Sequence, residues 1–436
     1  MAKNITLQQA LDLIQDGDYI VTGMAAAEPL AFCSALHTIA PRLQKGVLVT
    51  NCLPMKPYEY INNPEYRDKF EVEGWFFDGG MRRSFPNGGI SFIPNNLHFA
   101  GSKRLERRAA DVTVVSASMP DKHGYVSVAL SNVYEMEHLR KSRISILEIN
   151  PNIPRVFGDV EIHLDDIDYV VECDYEAPEI PEGTCTEKDM VIGRYVAELI
   201  NDGDCIQVGI GGIPDAVVAS LYGKKNLGVH TEMMTTGIMK LAKAGVVNGR
   251  CKQLHPNKIV CCFAAGTKEL YRYIDDNPSI MVLSGAYVNN PYVIMQNDNQ
   301  VSINTTLEID LTGQCCSESL GSRQFSGTGG QSDTAIGAKL SKNGRSFIAL
   351  YSTAMIKNPR TGEREEKSKI VAQLTAGAAV SLSRNDLDYL VTEYGCVNLT
   401  GTSIRERVEK IISVAHPKFR EQLWEDAYKA GIVIRR

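Results

Sequence analysis

A glutamate placed just past a strand, near a glycine turn, is where this sequence first offers catalytic chemistry. Residues 207–237 read QVGIGGIPDAVVASLYGKKNLGVHTEMMTTG. Ile206 and Val208 favour a strand, and Gly209, Gly211 and Gly212 favour a tight turn. Pro214 suits the first turn of a helix, where its missing N–H has no partner to lose. Residues 228–231 predict a second strand that delivers Glu232, with a helix over 233–244 behind it. Ligands of open α/β sheets bind at the carboxyl ends of parallel strands, where the amides of a neighbouring βα turn face the same crevice. A carboxylate there can meet a substrate while those amides polarise it. The plainer alternative is a glutamate that complements a helix dipole, worth about 0.3–1 kcal/mol, beside glycines that only permit a turn. The spacing is not a dinucleotide fingerprint, because the third glycine of GxGxxG would fall at Pro214.

Other segments offer partners. Residues 319–333, SLGSRQFSGTGGQSD, carry Gly327, Gly329 and Gly330. Such a run either holds successive N–H groups in a nest for an anion or oxyanion, or is a flexible loop. Asn289-Asn290-Pro291 reads as a turn whose side-chain amides could reach a ligand carbonyl. The basic run 103–108, with Arg104, Arg107 and Arg108, reads as a solvated helix face, with phosphate binding the alternative. Lys268 opens a helix after the strand over 258–264 and is read as a surface lysine, with an anion site the alternative. His123 lies in a turn and is read as a hydrogen-bonding residue.

The elements that must position these groups recur. Thr6 and Gln9 form a capping-box start for a first helix. Residues 13–23, LIQDGDYIVTG, reappear as 199–209, LINDGDCIQVG, and DYVVE at 168–172 reappears as DYLVTE at 388–393. Two echoes in one order imply a duplicated α/β domain, joined where Pro and Gly cluster in APEIPEGTCT, 177–186. The predicted architecture is therefore two similar α/β domains with mainly parallel sheets, residues 1–180 and 186–436, the second carrying Glu232. Residues 46–51, 111–116 and 144–149 read as buried strands of the first.

The chain of 436 residues is 44% hydrophobic and 22% charged, the composition of an ordinary globular protein. Its net charge of -6, with 46 Lys and Arg dispersed among 52 Asp and Glu, gives no footprint for nucleic acid or anionic lipid. The amino-terminal residues show no signal-peptide core, and no apolar run reaches the ~18 residues of a membrane span. The 11 cysteines, without a CxxC, read as thiols of a reducing cytoplasm. Cys261-Cys262 and Cys315-Cys316 lie in strand-like runs that turn neighbouring side chains to opposite faces, so no metal site is expected.

GIGGIPDAV at 209–217, HTEMMTTG at 230–237, FSGTGGQSD at 325–333 and SRNDLDYLVTEYG at 383–395 together resemble the acetyl-CoA hydrolase/transferase family. The branch they are most similar to contains the 4-hydroxybutyrate CoA-transferases and butyryl-CoA:acetate CoA-transferases. The resemblance runs nearly end to end, and it implies two α/β domains of CoA-transferase type with the active site between them. It implies that Glu232 attacks an acyl-CoA thioester and carries CoA as a glutamyl thioester to a short-chain carboxylate. It places Gly209, Ile210, Gly211 and Gly212, with Gly327, Thr328, Gly329 and Gly330, around the thioester carbonyl and CoA, and Asn289 and Glu393 at the acyl or CoA site. It implies no metal and no cofactor, coenzyme A being a co-substrate, and it suggests a homo-oligomer. Hydrolysis of the same intermediate is the alternative activity, separated only by how well water is kept out. The sequence departs from the family at Thr334, where an aromatic commonly follows the aspartate, and this leaves the size of the acyl pocket open. No GxSxG elbow supports a serine hydrolase.

Overall fold

The computed structural model describes residues 2–87, 90–128, 130–357 and 361–435. Thr6 caps α1 (Leu7–Asp12): its hydroxyl accepts the Gln9 N–H, and the Gln9 side chain accepts the Thr6 N–H, as the spacing predicts. The first half then builds β1 (Lys3–Asn4), β2 (Tyr19–Thr22), β3 (Val47–Thr50), β4 (Phe70–Gly74), β5 (Ile90–Phe92), β6 (Val112–Ala117), β7 (Ile144–Ile149), β8 (Phe157–Gly158) and β9 (Tyr169–Glu172). All but β8 join one parallel sheet in the order β1-β9-β7-β6-β2-β3-β4-β5.

The second half opens with α2 (Glu187–Glu198), β10 (Cys205–Val208), α3 (Gly212–Ala219), β11 (Gly228–His230) and α4 (Thr236–Lys243). It continues through β12 (Ile259–Cys261), β13 (Ile280–Val282), β14 (Gln300–Thr305), α5 (Gln331–Leu340), β15 (Arg345–Ala349), β16 (Tyr389–Thr392) and β17 (Gly395–Asn398). Its sheet runs β17-β16-β15-β14-β10-β11-β12-β13-β8, parallel except where β17 turns back on β16. From β9 to β5 and from β16 to β13 the two orders are the same, so β2 corresponds to β10, β3 to β11 and β9 to β16. The halves are duplicates in topology, and the first lends β8 to the edge of the second sheet.

The repeated motif has a repeated job. Asp16 accepts the N–H groups of Gln44, Lys45 and Gly46 on the approach to β3, and Asp202 accepts that of Lys225 before β11. Asp18 pairs with Arg143 at the mouth of β7, and Asp204 pairs with Arg345, the first residue of β15. In both halves the turn thus ties its own strand to the neighbour on one side and to the strand two places away on the other. One buried apolar cluster then runs from Val115 and Leu147 of the first sheet to Val208, Val229 and Val301 of the second, so the halves share a core. The carboxyl-terminal helices, Ile404–Ser413 and Pro417–Lys429, cover Ile348, Leu382 and Leu390.

Several sequence expectations need correction. Helix α4 starts at Thr236 behind a Thr235 cap. Met233–Met234 instead forms a short strand that pairs with Phe263–Ala264, and the strand expected over 258–264 is broken at Cys262. Glu232 therefore does not open a helix, and a helix-dipole role is removed. Arg104 is not on a solvated face: it turns inward to Glu73 and to the Tyr19 hydroxyl. Lys268 pairs with Glu176, just before the 177–186 join, and its N–H donates to Glu179 within it. That join is not a free tether, for the Ile180 N–H donates to the Gly266 carbonyl and the Tyr271 hydroxyl donates to that of Pro178. His123 stays in its turn, its N–H donating to Asp121. Among the described residues no helix is long and apolar enough to cross a membrane.

Candidate active site

Strand β11 ends at His230, and two residues later the Glu232 carbonyl accepts the N–H groups of Cys262 at 3.0 Å and Phe263 at 3.1 Å. Its backbone is thereby tied to the neighbouring strand at its break, a rigid mount for the side chain. The carboxylate reaches a cavity of about 240 Å³. One wall is apolar and comes from the first half: Met24, Leu53, Met55, Phe76 and Leu97. The other wall comes from the second half and includes Gly209, Ile210 and the whole run Gly327, Thr328, Gly329 and Gly330.

Asn289 Nδ2 donates to Glu232 Oε2 at 2.9 Å, and the Gly330 N–H faces the same carboxylate. Burial pushes the Glu232 carboxyl up to about 7, and the charge of Asp333 adds to the rise, while the Asn289 and Gly330 donors oppose it. Asp333 is itself buried and is held from the first half, by the His98 N–H at 3.1 Å and His98 Nδ1 at 2.9 Å. A side chain on Gly327 would come within 2.0 Å of the Trp75 carbonyl oxygen. The glycine run thus fits between the two halves, touching Trp75 on one side and Glu232 on the other.

The amino-terminal turn is arranged differently. Gly211 caps α3, and the turn that carries it lies along a second cavity of about 200 Å³. Ile210, Thr305 and Ser317 line both cavities. Lys369 and Tyr351 lie on the second. Burial lowers the Lys369 ammonium to about 8 against the opposing charge of Glu393. Glu393 itself does not line the Glu232 cavity. It sits past the end of β16, accepts the Ser352 N–H and hydroxyl at 2.9 Å, and lies 3.2 Å from Lys188 Nζ. Burial would raise its carboxyl, yet those donors hold it below its ordinary value.

The structure gathers Glu232, Gly209, Ile210 and the four residues 327–330 at one cavity, sets Asn289 buried beside Glu232, puts Gly211 and Gly212 on the adjoining cavity, and leaves Glu393 beyond. Thr334 is buried away from both and bonds Ser302 and Asn304. Sequence reasoning did not single out His98, Gln331, Lys369 or the apolar wall. Only Gln331 carried a signal, inside the FSGTGGQSD motif. Cys262 was read as a buried thiol and is one; its Sγ stands 3.2 Å from the Glu232 carbonyl oxygen.

An enclosed carboxylate with an N–H donor on each side and an apolar wall opposite can attack an activated acyl group and hold the charge that forms. Comparison with known proteins shows the family. The acetyl-CoA hydrolase/transferase amino-terminal domain matches residues 1–180 and the carboxyl-terminal domain of the same family matches 266–427. A 4-hydroxybutyrate coenzyme A transferase from Clostridium kluyveri is 41% identical over 98% of this chain and 97% of its own. A succinyl-CoA:cyclohexane-1-carboxylate CoA transferase from Geobacter metallireducens is 38% identical over 96% and 93%. The crystal structure of RipA from Yersinia pestis superposes with a TM-score of 0.91 at 36% identity, covering 99% of this chain and 98% of that one. The chain belongs to the acetyl-CoA hydrolase/transferase family and is an enzyme of its CoA-transferase kind.

Proposed function

We propose that the protein moves CoA between short-chain acids, 4-hydroxybutyrate, butyrate or acetate, through a thioester on Glu232. The observation that carries this reading is the Glu232 carboxylate, enclosed and held by Asn289 and Gly330 at the cavity where the two halves meet. Ionised Glu232 attacks the acyl-CoA carbonyl, and CoA leaves as its thiolate to give an acyl-glutamyl anhydride. The thiolate then attacks the Glu232 carbonyl carbon and releases the first acid as its carboxylate. A second carboxylate then attacks the glutamyl thioester carbonyl and expels CoA thiolate to give a new anhydride; the thiolate attacks the second acid's acyl carbon, which leaves as the new acyl-CoA and frees the Glu232 carboxylate. During the second step the negative charge falls on a Glu232 oxygen, where Asn289 Nδ2 and the Gly330 N–H already stand. Donors placed before the charge develops are worth roughly 3–4 kcal/mol each where measured. The apolar wall keeps water from the intermediates, which favours transfer over hydrolysis. Coenzyme A serves as co-substrate, and the route calls on no other cofactor.

Incubating the protein with butyryl-CoA and no acceptor acid should leave CoA covalently bound to the peptide that contains Glu232, detected by mass spectrometry. Normal turnover with no adduct on that peptide would reject the glutamyl route. Following free CoA release alongside exchange with a panel of short acids separates transfer from hydrolysis and names the acceptor.

The pH dependence carries a sign. Glu232 must be ionised to attack, so kcat should fall as pH drops through about 7. Asn289 favours the ionised form, so Asn289→Ala should move that acid limb to higher pH and lower kcat at pH 7 by roughly tenfold. A limb that stays in place in the variant would show that Asn289 does not act on the ionisation of Glu232.

A further inference from the structure

Gln331 follows Gly330 directly, opens α5, and lines the cavity that holds Glu232. Its side chain is buried, the residue only 5% exposed. Nε2 donates to the Thr305 carbonyl at 2.8 Å, while Oε1 is buried with no hydrogen-bond partner among the described residues. The orientation of the amide is fixed by chemistry: turning it over would set two carbonyl oxygens against each other and leave the NH2 unmated. Buried acceptors are nearly always satisfied, so an orphan at a ligand cavity calls for a donor on the ligand.

The anchor shows where that donor comes from. Thr305, which holds Gln331, stands with Ile210 and Ser317 on the wall shared with the second cavity, the one that continues to Lys369. The apolar residues of the first half line only the Glu232 cavity. An unsubstituted aliphatic acyl chain has no donor to offer. The thiol side of a CoA thioester has one, an amide N–H two methylenes from sulfur. Further along, Lys369 Nζ spends one hydrogen bond on the Thr306 carbonyl, at 3.3 Å, and keeps donors for the carbonyls that follow.

We propose that Gln331 Oε1 accepts the first amide N–H of the CoA arm, so that the arm leaves Glu232 past Thr305 into the cavity of Lys369. This rests on the transferase reading above. Gln331 is then a binding residue that sets the thioester sulfur against the nucleophile.

The test compares two truncated donors, butyryl-N-acetylcysteamine thioester and its isostere with CH2 in place of the amide N–H, by kcat/KM for exchange with acetate. The wild-type protein should prefer the N–H compound by roughly tenfold, one hydrogen bond to a buried acceptor. In Gln331→Met the preference should collapse to about twofold or less. An equal fall for both donors, leaving the ratio intact, would assign Gln331 a structural role and overturn the proposal. A wild-type ratio near one, which needs no variant to measure, would overturn it as well. So would a variant that instead loses discrimination between 4-hydroxybutyrate and butyrate, because the acceptor would then serve the acyl hydroxyl. Failure of the transferase reading is separate, for it appears as absent exchange with intact butyryl-CoA.

Discussion

Glu232→Gln abolishes CoA exchange and at the same time makes the protein more stable above neutral pH. The amide keeps the volume of the side chain and can still face Asn289 and Gly330, but it cannot attack a thioester, so exchange should fall by a factor on the order of 10⁴ or more. The stability gain follows from linkage. Burial holds the Glu232 carboxyl at about 7 in the folded chain against 4.5 for the free group. The folded state therefore binds that proton more tightly, and ionising Glu232 destabilises the fold progressively as pH rises from about 4.5 to 7. Above 7 the full cost applies, up to about 3 kcal/mol for a shift of this size, and Gln removes it. Thermal unfolding should show a higher Tm for the variant at pH 8 and nearly equal Tm values at pH 4.5. A variant less stable than wild type at pH 8 would mean that the carboxylate is solvated rather than strained. A variant that keeps exchange would move the nucleophile elsewhere.

That trade between stability and chemistry is also why the sequence exposed some parts of the molecule and hid others. The duplication was legible because the residues that repeat do the same local work in each half. Asp16 and Asp202 hold incoming amides, Asp18 and Asp204 take an arginine, and Asp168 and Asp388 each accept the N–H of a serine on the adjacent strand. Each contact lies at a strand end and survives as a short motif. Glu232 was legible for the same reason, at the end of β11. The segment after it was not. Met233 and Met234 extend the apolar spacing of α4, and only the non-local pairing with Phe263 and Ala264 makes them a strand. Arg104 was misread because a basic run on a short helix says nothing of Glu73 in β4, which draws it inward. The wall opposite Glu232, from Met24 to Leu97, lies far away in the chain, and its residues carry ordinary core patterns. Periodicity tells which side chains are buried and is silent about which half they meet.

Two glycines of one loop should separate fold from chemistry. A Cβ on Gly330 would come within 2.0 Å of both Glu232 Oε2 and Asn289 Nδ2. Those are the far ends of flexible side chains, and Gly330 has φ -92°, which alanine adopts freely. Gly330→Ala should therefore fold with a loss of only about 1 kcal/mol, because the two side chains swing aside. What they lose is their mutual hydrogen bond and their aim at the thioester. A misplacement of about 1 Å at the reacting atoms costs roughly 10²-fold, and kcat should fall by 10² to 10³. At Gly327 the new Cβ would meet backbone, the Trp75 carbonyl oxygen at 2.0 Å and Phe76 Cα at 2.9 Å. Neither can turn away, so Gly327→Ala must push the loop off the first half or strain the strand end that bears Trp75, at roughly 1–3 kcal/mol or more. Denaturant unfolding and exchange rates measured on both variants should thus give opposite partitions, activity lost with stability kept at Gly330 and stability lost first at Gly327. If Gly330→Ala retains exchange near the wild-type rate, the carboxylate does not react from the position in which Asn289 holds it, and the catalytic geometry must be sought in a differently closed arrangement of the two halves.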